Sequence, residues 1–137
     1  MQVFEKTIAV NSNRHCEMID ITREVEQFVA AHNVKQGQVH IFCPHTTAAI
    51  TINENADPDV QDDIILTLGR VFPKDANGYK HCEGNSDSHV KSSLVGASES
   101  ILISGGKLVL GVWQGIYFCE FDGPRSRKTV IHIHAID

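Results

Sequence analysis

The chain reads as an α+β domain, a mainly antiparallel or mixed β-sheet with two to three helices, on three observations. β-Branched and aromatic runs adjoin one another through Gly-rich turns in the C-terminal third, where a regular parallel array would interpose helices. Two segments, opening at Thr22 and Asp57, carry apolar residues at helical spacing. At 137 residues the chain is sized for one domain, residues 1–137, with a core of its own.

Val3 to Val10 is strand-like, Asn11-Ser12-Asn13 is a turn cluster, and Cys16 to Ile21 resumes an extended pattern, which predicts a hairpin. From Thr22 the residues Val25, Phe28, Val29 and then His32 or Val34 mark one helical face, with Asn33 and Gly37 as a stop. Val39 to Cys43 and Ala48 to Ile52 read as strands separated by Pro44, which removes a backbone donor and marks a bend or an edge. Asp57 is placed as an N-cap with Pro58 at the first helical position, where its missing N–H costs nothing. Val60, Ile64, Ile65 and Leu68 then mark a buried face, closed by Gly69 and Pro73.

Pro73 to Ser88 is polar, contains Asn77-Gly78 and Glu83-Gly84, and lacks periodicity, so it predicts a long irregular loop. His89 to Ser98 predicts a shorter helix capped by Asp87 or Ser88, with Val90, Leu94 and Val95 inward. Four strands follow, Ser100 to Ser104, Lys107 to Val112, Ile116 to Phe121 and Thr129 to Ile136, the first two joined by a Gly105-Gly106 turn. Glycines on either side of Trp113-Gln114 predict a close backbone approach or a bulge.

A net charge of −5 and scattered Lys and Arg give no stripe for phosphodiester binding, which argues against nucleic acid. No apolar run is long enough to cross a membrane, and Met1 to Lys6 lacks the features of a secretory signal, so a cytoplasmic location is expected. Cys16, Cys43, Cys82 and Cys119 are widely spaced with no Cys-x-x-Cys, and three of them fall in strand-like sequence. Free thiols, acting as small buried apolar groups, outweigh a four-cysteine zinc site.

The stretch from His45 to Pro58 packs polar side chains around a short apolar strand. Glu54 and Asp57 can converge at a helix start, with Asp63 further along, to hold magnesium or divide acid and base roles. A cap and the helix dipole explain the same acids. His45, at a strand break before the hydroxyls of Thr46 and Thr47, is a candidate base, phosphate-binding donor or metal ligand. With His81 and His89 beside the long loop it forms a candidate three-histidine site, in which zinc with an open water position would give a hydrolase. Arg125 and Arg127 can grip an anion or stay solvated, and Gln114 can bind a ligand or satisfy a backbone group. His132 and His134 share one strand face, read as the wet side in preference to a metal pair.

Together His45-Thr46-Thr47-Ala48, Asn53 to Pro58 with Val60 and Asp63, Tyr79, His81, Glu83-Gly84-Asn85, His89 to Ser93, Gly111 to Ile116, Glu120 and Arg125 to Arg127 resemble the YjbQ-like family over nearly the whole chain. The resemblance implies a homotrimer with sites near subunit boundaries and the label of a secondary thiamine-phosphate synthase. It also implies functional roles for His45, Asn53, Glu54, Asp57, His81, His89, Gln114, Glu120 and Arg127. His132 and His134 match nothing in that pattern.

The resulting expectation is an enzyme for a phosphorylated small molecule or anion. His45, Glu54, Asp57 and His89 would act in catalysis, while Thr46, Asn53, Lys91, Gln114, Glu120 and Arg127 bind substrate. A divalent ion, magnesium or zinc, is the expected cofactor, with His45, His81 and His89 as ligands if it is zinc. The alternatives are a zinc-dependent hydrolase and a non-catalytic trimeric binding module. Apolar residues on the C-terminal strands are taken as surface that a trimer would cover.

Overall fold

The computed structural model describes residues 1–136. Its elements run β1 (Gln2–Asn11), β2 (Glu17–Asp20), α1 (Thr22–Ala31), β3 (Gln36–Phe42), β4 (Ala48–Glu54), α2 (Pro58–Val71), α3 (Ser86–Val95), β5 (Ser98–Ser104), β6 (Lys107–Leu108), β7 (Gln114–Glu120) and β8 (Ser126–Ala135). All strand pairs are antiparallel, in one sheet of order β1-β8-β3-β5-β6 and a second of order β2-β7-β4.

Strand alternation builds the main core. Val39 and Ile41 on β3, Ile101 and Ile103 on β5, and Ile131 and Ile133 on β8 turn inward from the larger sheet; Ile50, Ile116 and Phe118 meet them from the smaller one. Helix α1 adds Val25, Phe28 and Val29 to this core, as its spacing predicts. The other face of the smaller sheet presents Ala49, Tyr117 and Cys119, covered by Ile65 and Leu68 of α2 and Val95 of α3. Strand β7 is therefore buried on both faces from Gly115 onward.

Asp57 caps α2, accepting from the Asp59 N–H at 3.0 Å, with Pro58 inside the first turn. The predicted α2 face is only half-buried, because the helix rests on the outside of a three-stranded sheet and has nothing above it. Gly69 lies within this helix, which runs on to Val71. Gly105-Gly106 forms the predicted two-residue turn, both glycines at positive φ. Gly115 is a close approach as expected: a Cβ there would stand 2.8 Å from Asn55 Cβ.

Several expectations are corrected. β1 and β2 form no hairpin; β1 pairs with β8 over ten residues and β2 with β7, in different sheets. Ser12 in the supposed turn instead ties the end of β1 to Arg125, whose N–H donates to its hydroxyl. Of the segment Lys107 to Val112 only the first two residues are strand. Of the four cysteines, all free, only Cys119 lies inside a strand. Of the apolar residues on the C-terminal strands, those of β7 and all but Val130 of β8 are buried by the chain's own two sheets, whereas Leu102 of β5, Val109, Val112 and Ile136 are exposed.

Helix α3 departs most. It begins three residues earlier than predicted and buries Asp87, Ser88, Lys91 and Ser92, while Leu94 is 63% exposed. Its inward face meets the carbonyls of Thr46 and Phe121, which need donors, and Ser92 (2.9 Å) and Ser88 (2.7 Å) supply them.

Candidate functional site

The inward alternation of β7 places Glu120 at the end of the inter-sheet core, and that of β8 brings Arg127 opposite it. Glu120 is fully buried and Arg127 is 5% exposed. Arg127 donates from Nε to Oε1 at 2.9 Å and from Nη2 to Oε2 at 2.5 Å, and Nη2 also reaches the Thr47 hydroxyl at 2.8 Å. Ser12 Oγ and the Asp122 N–H complete the shell of the carboxylate. Burial alone would raise the Glu120 pKa, but the bonds from Arg127, Asp122 and Ser12 outweigh it and hold the carboxyl below its usual range. Those same Glu120 bonds push the Arg127 pKa up against burial, so both groups stay charged.

Above this pair runs the loop between β3 and β4, which carries the chain from the larger sheet to the smaller one. His45 turns back toward β8, where the backbone N–H of Lys128 donates to its Nε2 at 2.9 Å. Desolvation, and then the Arg127 charge, lower the His45 pKa, outweighing the Lys128 bond and the Glu120 charge. Across the gap stands the N-terminus of α3. Its cap residue Asn85 makes no side-chain capping bond and directs its Nδ2 to Asp122 Oδ2 at 2.8 Å. Asn85 Oδ1 is buried without a partner. The His81 and His89 rings lie edge to face, 5.4 Å between centroids.

These groups border one cavity of about 450 Å³, lined by His45, Thr46, Thr47, Asn85, Arg127 and their neighbours His81, His89, Glu83 and Arg125. The expected histidine trio thus shares one space, together with Thr46 and Arg127. Glu120 lies beneath it as the anchor of Arg127. Lys91 is buried and engaged with Asp87 Oδ2 at 2.9 Å, and is not among the lining residues.

The remaining expected residues stand at the far end of β4. Register pairs Ala48 with Glu120 but Glu54 with Gln114, so six residues, about 20 Å of strand, separate them. There Asn53 Oδ1 accepts from the Glu54 N–H at 2.7 Å, and Gln114 Oε1 accepts from the Gly111 N–H at 2.8 Å. Gln114 and Asn55 line a different cleft, with Thr22 and Leu110. Within one chain Asn53, Glu54, Asp57 and Gln114 do not join His45 and His89.

Sequence reasoning missed Ser12, Asp122 and the N-cap position of Asn85. Asn85 had a signal, since Asn followed by Ser-Asp-Ser is a good N-cap pattern. Ser12 had none, because Glu120 and Arg125 reach it only through the tertiary fold; Asp122 bonds Glu120 and Arg125 within three residues, and only its bond to Asn85 is long-range.

Among the described residues no group of three or more His, Cys, Asp or Glu side chains is arranged to hold a metal ion. His45, His81 and His89 share a cavity without converging, and one His45 nitrogen is already engaged. As placed, these residues do not fit a three-histidine zinc centre. His132 and His134 lie on the outer sheet face, 4.8 Å between ring centroids, with His40 5.4 Å from His134. Burial pushes the Cys43 thiol up to about 11 and that of Cys119 to about 12, far from nucleophilic thiolates. No helix among the described residues is long and apolar enough to cross a membrane.

A family profile described as UPF0047 protein YjbQ-like matches residues 6–135. The UPF0047 protein YugU of Bacillus subtilis is 52% identical over 126 residues, covering 92% of this chain and 96% of the relative. A crystal structure of an uncharacterised conserved YjbQ/UPF0047 protein from Clostridium acetobutylicum superposes with a TM-score of 0.92 at 53% identity, covering 94% of this chain and 99% of that one. A crystal structure of a protein of unknown function from Sulfolobus solfataricus superposes with a TM-score of 0.91 at 34% identity, covering 96% of each chain.

Proposed function

The chain belongs to the UPF0047 (YjbQ-like) family, and from that premise we propose that it binds a phosphorylated small molecule or comparable anion in the cavity between His45 and α3. One observation carries this reading. Hydrogen-bond donors that no described protein acceptor engages, Arg127 Nη1 and the Thr46 hydroxyl, border one cavity together with the α3 N-terminus. Arg125, half-exposed and tied to Asp122 at 2.8 Å, adds positive charge at the rim. A volume of about 450 Å³ suits a small ligand.

The finer reading is a transferase of the thiamine-phosphate synthase type, joining two phosphorylated substrates with diphosphate leaving. Arg127 and the α3 N-terminus would meet the charge on the leaving group, and His89 would act as acid or base. Glu54 and Asp57 would enter only from a second copy, across the boundary of a homotrimer. A cytoplasmic location belongs to this reading, supported by the four free cysteines.

Calorimetry with inorganic phosphate and diphosphate tests the binding site. Saturable binding that is lost in Arg127→Met supports it, and equal heats from that variant sink it. Incubation with a pyrimidine diphosphate and a thiazole phosphate then tests transfer. A ligand that raises the melting temperature yet is recovered unchanged marks a binding module. Light scattering tests the trimer. The zinc hydrolase is the weaker reading because His45 Nε2 is engaged; protein from metal-replete growth that carries stoichiometric zinc would revive it.

A further inference from the structure

We infer that His45 is a neutral hydrogen-bond donor, presenting Nδ1–H to the anion in the cavity while the Lys128 backbone N–H holds Nε2 as an acceptor. This deepens the anion-binding reading and rests on it. A backbone N–H has no lone pair to offer, so a 2.9 Å contact between Lys128 N and His45 Nε2 leaves only one assignment: Nε2 is unprotonated. The ring proton is therefore on Nδ1, the tautomer fixed by the partner of the other nitrogen.

Nδ1 has no partner among the described residues and is not one of the buried unsatisfied atoms, so a ligand can reach it. Protonating Nε2 would break the Lys128 bond and set an imidazolium beside Arg127, which is why burial and that guanidinium both favour the neutral ring. Two roles fall away as a result. His45 cannot serve as a base through Nε2, nor ligate a metal there, without detaching from β8. What it offers is one directed donor that adds no charge, suited to an oxygen acceptor such as a sulfate or phosphate ester. Base chemistry in the cavity is left to His81 and His89.

The test is long-range ¹H–¹⁵N imidazole spectroscopy on labelled wild-type protein at pH 7.5, with His45 assigned by its loss in His45→Asn. The expected spectrum shows Nδ1 protonated and Nε2 unprotonated, with the Nδ1 resonance moving as sodium sulfate is added. Sulfate affinity should fall about tenfold or more in His45→Ala, as for a hydrogen bond to a charged group, and by less than about threefold in His45→Asn, whose amide restores a donor near Nδ1. Sulfate binding with a proton on Nε2, or with an unmoved Nδ1, overturns the inference and leaves the anion site standing. Failure of wild-type protein to bind sulfate or phosphate overturns the anion site and the donor role with it.

Discussion

The two ends of β4 carry equally polar sequence and use it in opposite ways. At the Ala48 end, His45, Thr46 and Thr47 stand over a buried Glu120–Arg127 pair and leave donors facing a cavity. At the Glu54 end, polar groups close on their own backbone: Asn53 accepts from Glu54, Asp57 caps α2, Gln114 takes the Gly111 N–H, and Gln61 and Tyr117 both donate to the Glu54 carbonyl. Polar density alone therefore does not mark a site. What marks it is donors left without acceptors, held by charges that are fully paired below.

Glu120→Ala should have the largest effect. Leaving Arg127 buried and unpaired should cost about 3–5 kcal/mol in urea denaturation. The double variant Glu120→Leu with Arg127→Met should recover most of that stability while abolishing phosphate binding, since a buried pair is worth little more than an apolar replacement. A Glu120→Ala protein as stable as wild type would show that this end is not built on the pair.

At the other end, Gly115→Ala drives a Cβ into Asn55, 2.8 Å away, and should cost about 1–3 kcal/mol of overpacking. Its phosphate affinity, read by calorimetry, should stay within about twofold of wild type. Asp57→Ala should cost about 1 kcal/mol through the lost cap, again with binding unchanged. A tenfold loss of phosphate affinity in Asp57→Ala would instead mean that the two ends meet across copies of the chain.

The smallest effect is on pH dependence, and both shifts act in the same direction. Glu120 has a lowered carboxyl pKa in the folded state, so its contribution is complete above about 4.5 and is lost as pH falls through the lowered value. His45, also lowered, contributes fully above about 6.5 and fades as pH falls through its own shifted value. A melting curve across pH 2 to 8 should therefore decline on the acid side in two steps, and His45→Asn should remove the upper one. An unchanged upper step in that variant would assign it to another group.

Much of the architecture was legible because it is local. The α1 face, the Asp57-Pro58 start of α2, the Gly105-Gly106 turn and the tight approach at Gly115 each follow from a few adjacent residues and their backbone needs. On helix α3 the apolar spacing holds for Val95 and fails for Leu94, because two loop carbonyls demanded serine donors on the inward face. The site was half legible. His45, His81, His89, Thr46 and Arg127 do share a cavity, but Glu54 and Asp57, so close to His45 in sequence, were carried away by the rise of an extended strand.

By itself the sequence determined the element types, most of their starts and stops, and the residue kinds able to bind an anion, because those depend on periodicity, capping and side-chain chemistry within a few residues. Which of them act together depends on how the strands pair across the two sheets. The pairing of β1 with β8, the bond from Lys128 to His45 and the shell of Ser12, Thr47 and Asp122 around Glu120 and Arg127 join residues separated by most of the chain. Apart from the Asp122 N–H, which reaches Glu120 from two residues away, such contacts are set by sheet register, and register is a property of the whole core.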